Sequence, residues 1–529
     1  VTTDTAGRRD RPFTTPPVGQ VRDPGPGVAS PPVAGGRLGG TSGYRRDPAW
    51  RTGQVHHLLR RATFGITPAL AAEVTYENRW DWLTAQLDPA SVADDACADV
   101  LSRLPALPMT PPQVRAAVAA EQLDSWEPMF DLGRAAVARA TWSRRQLFEV
   151  MVDLWSNHLN VTCPSSEVWD NRCDFDRTVV RTHALGRYAD LLLAATLHPA
   201  MLTYLNNASS TKDAPNENLG RELLELHSVG VEAGYTESDV LASARILTGH
   251  SIDWDSGLYV YRPADHWTGQ VRVLGFSRAN TTAGGGPTLV ADYVAYLARH
   301  PATARRVATR LAVRFVADVP PPHLVERLAA TYLTHDTAIV PVLWELFRSA
   351  EFAESVDAKT RRPFEALVAV LRTLDLRPAP PGGAEDPLGT QALSDLFWML
   401  GDLGQQPLAW PLPNGYPDVA SAWQSAGGTL ARWNATMSVV GGWWPTTLTR
   451  DPVSTLLPAT LPATYGDLVG ALWQRLHFRT IRSSDRDALC RFLGGTAATA
   501  LSTSSDVLDD WLLVPLVSLV LDAPAVMSR

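Results

Sequence analysis

Apolar residues return every three or four positions along most of this chain from residue 55 onward. That period predicts helices over 112–123, 133–160, 176–206, 217–230, 236–248, 288–315, 322–333, 338–352 and 360–374. In "YTESDVLASARILTGH", Thr236 is placed to cap a helix start while Asp239 reaches back from the third helical position. With the short Gly-containing turn "VGVEAG" before it, this predicts an αα-hairpin of 217–230 and 236–248. His198 and His300 each precede a proline, which pushes them out of the α region, so both are expected to cap helix ends. Between 251 and 287, "IDWDSGLYVYRPADHW" and "QVRVLGF" predict two short strands leading to a Gly-rich loop. The expected fold is mainly α: a large multi-helix bundle with a small β excursion near 251–287 and an extended Pro/Gly-rich N-terminal arm. Residues 1–48 form that arm, because their composition cannot build a core. Residues 49–375 form the main helical domain. After the break "LRPAPPGGAEDP", residues 376–529 form a mainly helical region packed upon it.

Composition removes several functions. The 529 residues carry 47 basic and 55 acidic side chains, a net charge of −8, with no long run of either sign. The basic footprint of a nucleic-acid binder is missing. No segment reaches the ~20 apolar residues of a membrane span. Only Lys212 and Lys359 are lysine among many arginines, a bias of GC-rich, bacterial coding. The chain starts with Val and shows no signal peptide, so either a leader has been removed or a valine codon served as the start. Four cysteines are too few for a disulfide scaffold and include no C-x-x-C pair. Cys163 and Cys173 bracket "CPSSEVWDNRC". In an exported protein a disulfide there would contribute about 2 to 3 kcal/mol; in a reducing compartment they are two free thiols.

Candidate chemistry concentrates in "NENLGRELLELHSVG", residues 216–230. At about 100° per residue, Asn218, Arg221, Glu222 and Glu225 share one arc walled by leucine. Such a stripe points into a cleft or the interior, not to open solvent. His227 falls on the opposite, apolar side, where it is expected to pack with one ring nitrogen hydrogen-bonded. A buried charge needs a partner. One reading pairs Glu222 and Glu225 internally with Arg221 and with Arg181 or Arg245. The other makes them metal ligands, joined by His158 of "WSNHLNV" and His183 of "RTHALG" from facing helices, as carboxylate-rich bundles do. The Trp-rich stretch "WQSAGGTLARWNATMSVVGGWW" reads as core or interface, or as a stacking platform for carbohydrate or an aromatic substrate. Hydrolase elbows, P-loops, H-E-x-x-H and G-x-G-x-x-G helix starts are all absent from the sequence.

Several stretches together resemble the bacterial "domain of unknown function 1800" family. They are "HLLRRATFG", "LWSNHLNV", "RTHALGRYADLLLAATLHPAMLTYLNN", "NENLGRELLELHSVGVEAGYTESDV", "ARILTG", "RHPATARRVATRLAVRFVADVPP", "PNGYPD" and "RWN". They run in the family's order over some nine tenths of the chain. The resemblance implies a bacterial, exported protein, and so favours an extracytoplasmic place. Two departures stand out: His266 is followed by Trp267, with Val271 at a usual lysine, and Leu205 is followed by Asn206 and Asn207. Two functions are expected. The first is a metal-dependent enzyme, oxidative or hydrolytic, with a divalent or transition metal ion held by His158, His183, Glu222 and Glu225. In it Arg221 orients an anionic group of a small-molecule or polymer substrate, and Arg221, Glu222 and Glu225 are the catalytic set. The second is a non-catalytic extracytoplasmic binding or assembly protein with a protein partner, whose buried charges are structural.

Overall fold

The computed structural model describes residues 47–529. The arm expected over 1–48 lies outside these residues except for its last two. The fold is mainly α-helical with only small two-stranded sheets. Most expected helical runs are divided by local chemistry. The 133–160 run is two helices, Glu127–Trp142 and Gln146–His158. At the break, Gln146 Nε2 donates to the carbonyls of Ala140 and Ser143 at 3.1 and 2.8 Å, satisfying the end of the first helix. The 288–315 run divides at His300 into Gly286–Ala298 and Pro301–Phe315. His300 Nδ1 there accepts from Ala302 N–H at 3.2 Å, and His198 Nδ1 likewise accepts from Ala200 N–H at 3.1 Å. Both histidines therefore cap helix starts, as the proline steps require.

The helix Glu237–Leu247 begins with the expected box: Asp239 N–H donates to Thr236 Oγ1, and Thr236 N–H donates to Asp239 Oδ2. Its partner is Asn218–Glu222, and the two meet at Gly220. A Cβ on that glycine would lie 2.8 Å from Ala244 N, so only glycine allows the approach. Ser243 Oγ donates to the Gly220 carbonyl at 3.1 Å across the same contact.

The β excursion holds four strands, not two. β1 His250–Ile252 pairs antiparallel with β2 Tyr259–Tyr261, and β3 Val271–Val273 with β4 Phe276–Arg278. "QVRVLGF" is not one strand because Leu274 and Gly275, at φ of 45° and 90°, turn the chain inside it. A third pair joins β5 Arg377–Pro378, at the start of the Pro-rich break, to β6 Leu448–Thr449.

Residues 48–529 form one compact unit. Across the boundary expected near 375, Glu127–Trp142 packs on Gln391–Asp402, and Trp142 Nε1 donates to the Leu376 carbonyl at 2.7 Å. All four cysteines are free and buried; Cys163 and Cys173 share a small apolar cluster with Met129 and Leu132. Among the described residues, no helix is long and apolar enough to cross a membrane.

Candidate functional site

Residues 216–230 do not form one regular helix. Asn218–Glu222 is α, and Leu223–His227 is a π turn. A π turn takes more residues per revolution, so the 100° arithmetic that set His227 opposite Glu225 does not hold across it. Leu219, Leu223, Leu224 and His227 are buried, while Arg221, Glu222 and Glu225 stay half-exposed. The polar arc thus lies at the rim of the bundle and not in its interior. Arg221 pairs with Glu237 at 2.6 Å, Glu217 at 3.3 Å and Glu225 at 4.0 Å. The other two arginines expected there are engaged elsewhere. Arg181 makes a bidentate pair with Glu149 at 2.9 and 2.7 Å, and the Arg245 guanidinium lies over the Trp267 ring. Partial burial, then the neighbouring Glu225 charge, raises the Glu222 carboxyl above its usual range.

His158 is fully buried, with Nε2 2.7 Å from the Tyr188 hydroxyl. Tyr188 donates its own hydrogen to the His227 carbonyl, so His158 Nε2 carries the proton it gives to the tyrosine oxygen. That leaves His158 Nδ1 as a lone-pair nitrogen without a partner. Burial, followed by the charges of Arg310 and Arg306, holds His158 well below the usual histidine range. His227 stands beside it, ring centroids 6.3 Å apart, pushed down to about 3 by burial and the same arginines. Its packing is as expected, but its Nε2 has no hydrogen-bond partner. His183 is half-buried at the end of the 175–183 helical stretch. His158 and His183 do not join Glu222 and Glu225: among the described residues, no three His, Cys, Asp or Glu side chains are gathered to hold a metal ion.

What the sequence reading missed is the helix Pro301–Phe315. Arg306, Arg310 and Arg314 stand four residues apart between buried Val307, Leu311 and Phe315, and so share one face. Arg306 Nε donates to the Leu226 carbonyl at 3.0 Å, just below the half-exposed arc. Deeper, Arg314 donates to Glu365, a carboxylate with no exposure. Glu365 also accepts from Arg362 N–H at 3.0 Å and lies 3.0 Å from Arg529 Nη2. Arg362 reaches Asp153 at 2.5 Å, and Lys359 reaches Asp318 at 2.6 Å and Asp418 at 3.1 Å. The signal was visible as a four-residue repeat of arginine in "RRVATRLAVRF".

A separate open cleft of about 800 Å3 lies between residues 360–363, 402–404, 422–433 and 522–528. Trp423 is pinned in its wall by an Nε1 bond to the Pro417 carbonyl at 2.9 Å. Trp433 is 47 % exposed, and Trp443, farther along the same Trp-rich stretch, is 63 % exposed. On the cleft floor Asp522 accepts from Arg432 Nε at 3.3 Å and from the Thr436 hydroxyl at 3.1 Å. Burial pushes Asp522 up to about 6 against these two partners.

No curated protein and no solved structure matches the chain. One family model matches residues 57–528. The chain belongs to that family, which is described as "Protein of unknown function (DUF1800)".

Proposed function

We propose that the chain is a non-catalytic extracytoplasmic binding protein that takes an oligosaccharide in the Trp423–Trp433 cleft. The observation that carries this reading is Trp433, nearly half exposed in an open cleft whose walls also present Trp423, Gln424, Asp402 and Arg432. A large indole face left in water is costly, and stacking on the CH face of a sugar ring covers it. Amide, guanidinium and carboxylate groups around the same face match the ring's hydroxyls. Asp522 holds the Arg432 fork in place from beneath. The mutual pairing of the interior charges supports a structural role for them, fixing how the helices meet.

The test is a titration with chitin-, cellulose- and peptidoglycan-derived oligosaccharides, followed by tryptophan emission and calorimetry. Saturable binding without release of shorter products is expected, weakened about tenfold by Trp433→Ala, the order of one stacking contact. Silence toward all three sugars, or undiminished binding by the variant, overturns the proposal. Cleavage of any of them overturns the non-catalytic part.

The metal-enzyme reading is favoured by one observation. Glu222 and Glu225 are neighbouring carboxylates whose repulsion a bound cation would relieve, with Arg221 beside them for an anionic substrate group. Elemental analysis of protein purified without added metal tests it: a stoichiometric divalent or transition metal that Glu222→Gln removes is required.

A further inference from the structure

We propose that the cleft walled by Trp82 and Trp142 binds an apolar monocarboxylate, whose carboxylate is held by Arg372 on the cleft floor. This open cleft of about 920 Å3 is lined by the helices Pro68–Glu73, Arg79–Leu87 and Asp95–Ser102 together with residues 141–146 and 372–378. Leu70, Val74, Val100 and the two half-buried indoles supply its apolar surface. Trp142 has already spent its indole N–H on the Leu376 carbonyl, so it offers a ligand only its ring. Arg372 is 6 % exposed and borders the same cleft. Its Nε donates to the Gly65 carbonyl at 2.7 Å and its Nη1 to the Thr141 carbonyl at 2.6 Å. Nη2 makes no bond to any described residue and is the nitrogen left for a ligand.

The other charges around the cleft are matched. Arg103 pairs with Asp99 at 2.7 Å, Arg144 with Glu73 at 3.4 Å and Arg377 with Asp375 at 3.1 Å. Just outside the lining, Asp94 accepts from the Ser143 hydroxyl at 2.8 Å and Arg144 N–H at 2.7 Å, and Arg145 Nε donates to the Val92 carbonyl at 2.9 Å, one charge of each sign. Two lining groups remain, Asp81 and Arg372. Asp81 is exposed in the first turn of its helix, where water and the helix dipole serve it. Arg372 is buried, and among the described residues no carboxylate lies within 4.0 Å of its guanidinium. Two carbonyls satisfy N–H groups but supply no charge. Burial before all else lowers Arg372 to about 9, so it stays a cation at neutral pH. A buried cation is destabilising until an anion meets it. A carboxylate supplies that charge, and its apolar body covers the indoles. An inorganic anion would leave those walls bare, and a sugar would leave the charge unmet. This cleft is separate from the oligosaccharide cleft and the inference does not depend on that reading.

The experiment titrates the full chain by calorimetry with indole-3-acetate and 4-phenylbutyrate, and with the uncharged amide of each. Both acids should bind saturably, at least about tenfold more tightly than their amides, the order of one charge-assisted hydrogen bond. They should also raise the unfolding temperature, as a ligand of the folded state must. Arg372→Met should reduce each acid to the affinity of its amide. Ala96→Trp fills the cleft from an exposed position and should abolish binding of both acids. If Arg372→Met fails to fold, the acid–amide comparison and Ala96→Trp still decide. Equal affinity for acid and amide, no saturation by either acid, or binding undiminished in Ala96→Trp overturns the proposal.

Discussion

Replacing Glu365 by Gln removes one negative charge, and one of its two acceptor oxygens, while keeping the side chain's size. The carboxylate is wholly buried and faces Arg314, Arg362 and Arg529. Glutamine keeps the shape, and its carbonyl oxygen can still accept from Arg362 N–H to close the capping box of helix Pro363–Thr373. The loss is therefore the charge, together with the bonds at Oε1, where the amide NH2 would face the guanidinium donors of Arg314, Arg362 and Arg529. Removing one partner of a buried ion pair costs about 3 to 5 kcal/mol, mostly from the charge left behind. Against a total stability of about 5 to 15 kcal/mol this is severe. Urea unfolding followed by tryptophan emission should show the midpoint falling accordingly. The double variant Glu365→Gln with Arg314→Met should recover at least half of the loss, because the stranded cation has also gone. A single variant within about 1 kcal/mol of the parent, or a double variant as unstable as the sum of both singles, would refute the claim that Glu365 is the hub of the core charges.

Glu225→Gln should cost under about 1 kcal/mol, since Arg221 retains Glu217 and Glu237 and the Glu225 pair is half-exposed at 4.0 Å; a loss of 3 kcal/mol or more in the same urea assay would place Glu225 in the interior network. Acid should destabilise the protein through its buried neutral histidines. His227 and His477 are lowered to about 3, and His57 and His250 to about 4, by burial first in each case. The unfolded chain takes up these protons first, so the stability they supply is present above about pH 6.5 and lost below it, at about 2 kcal/mol per histidine by pH 5. Asp131 and Asp522, raised to about 6 by burial, act oppositely and restore about 1.4 kcal/mol each at that pH. Stability measured at pH 7 and pH 5 should therefore fall by several kcal/mol. His227→Phe should cost at most about 1 to 2 kcal/mol at pH 7, and then gain on the parent as pH falls. Parallel pH profiles of the two proteins would show that His227 does not titrate as a buried group.

Features set by near neighbours in the chain were legible. The Thr236–Asp239 box and the His198 and His300 caps need partners only two or three residues away. The hairpin turn at Leu274–Gly275 was also local but was overlooked, because "VRVLGF" reads as one apolar run when φ is unknown. The π turn over 223–227 was not legible. Its sequence is as good for an α-helix, and what surrounds it comes from elsewhere in the fold, notably Arg306 bonding the Leu226 carbonyl. The meaning of Arg306, Arg310 and Arg314 was hidden for the same reason: the repeat is plain, but Glu365, the acceptor of Arg314, lies 51 residues on. In the cleft, periodicity recorded Trp433 as apolar and said nothing of its exposure.

Arg529 enters the ionic core beside Glu365, while its backbone N–H donates to the Lys359 carbonyl at 2.8 Å. It is therefore joined to groups that leave the ribosome long before it does. Arg314 precedes it by 215 residues. At a synthesis rate of ~5–20 residues per second, that is a delay of roughly 10 to 40 s. During that interval the helix Pro301–Phe315 has its apolar neighbours at hand but not its full complement of charges. A nascent chain should accordingly keep this region hydrated and open to solvent exchange, and close it only when residues 527–529 dock along residues 359–361.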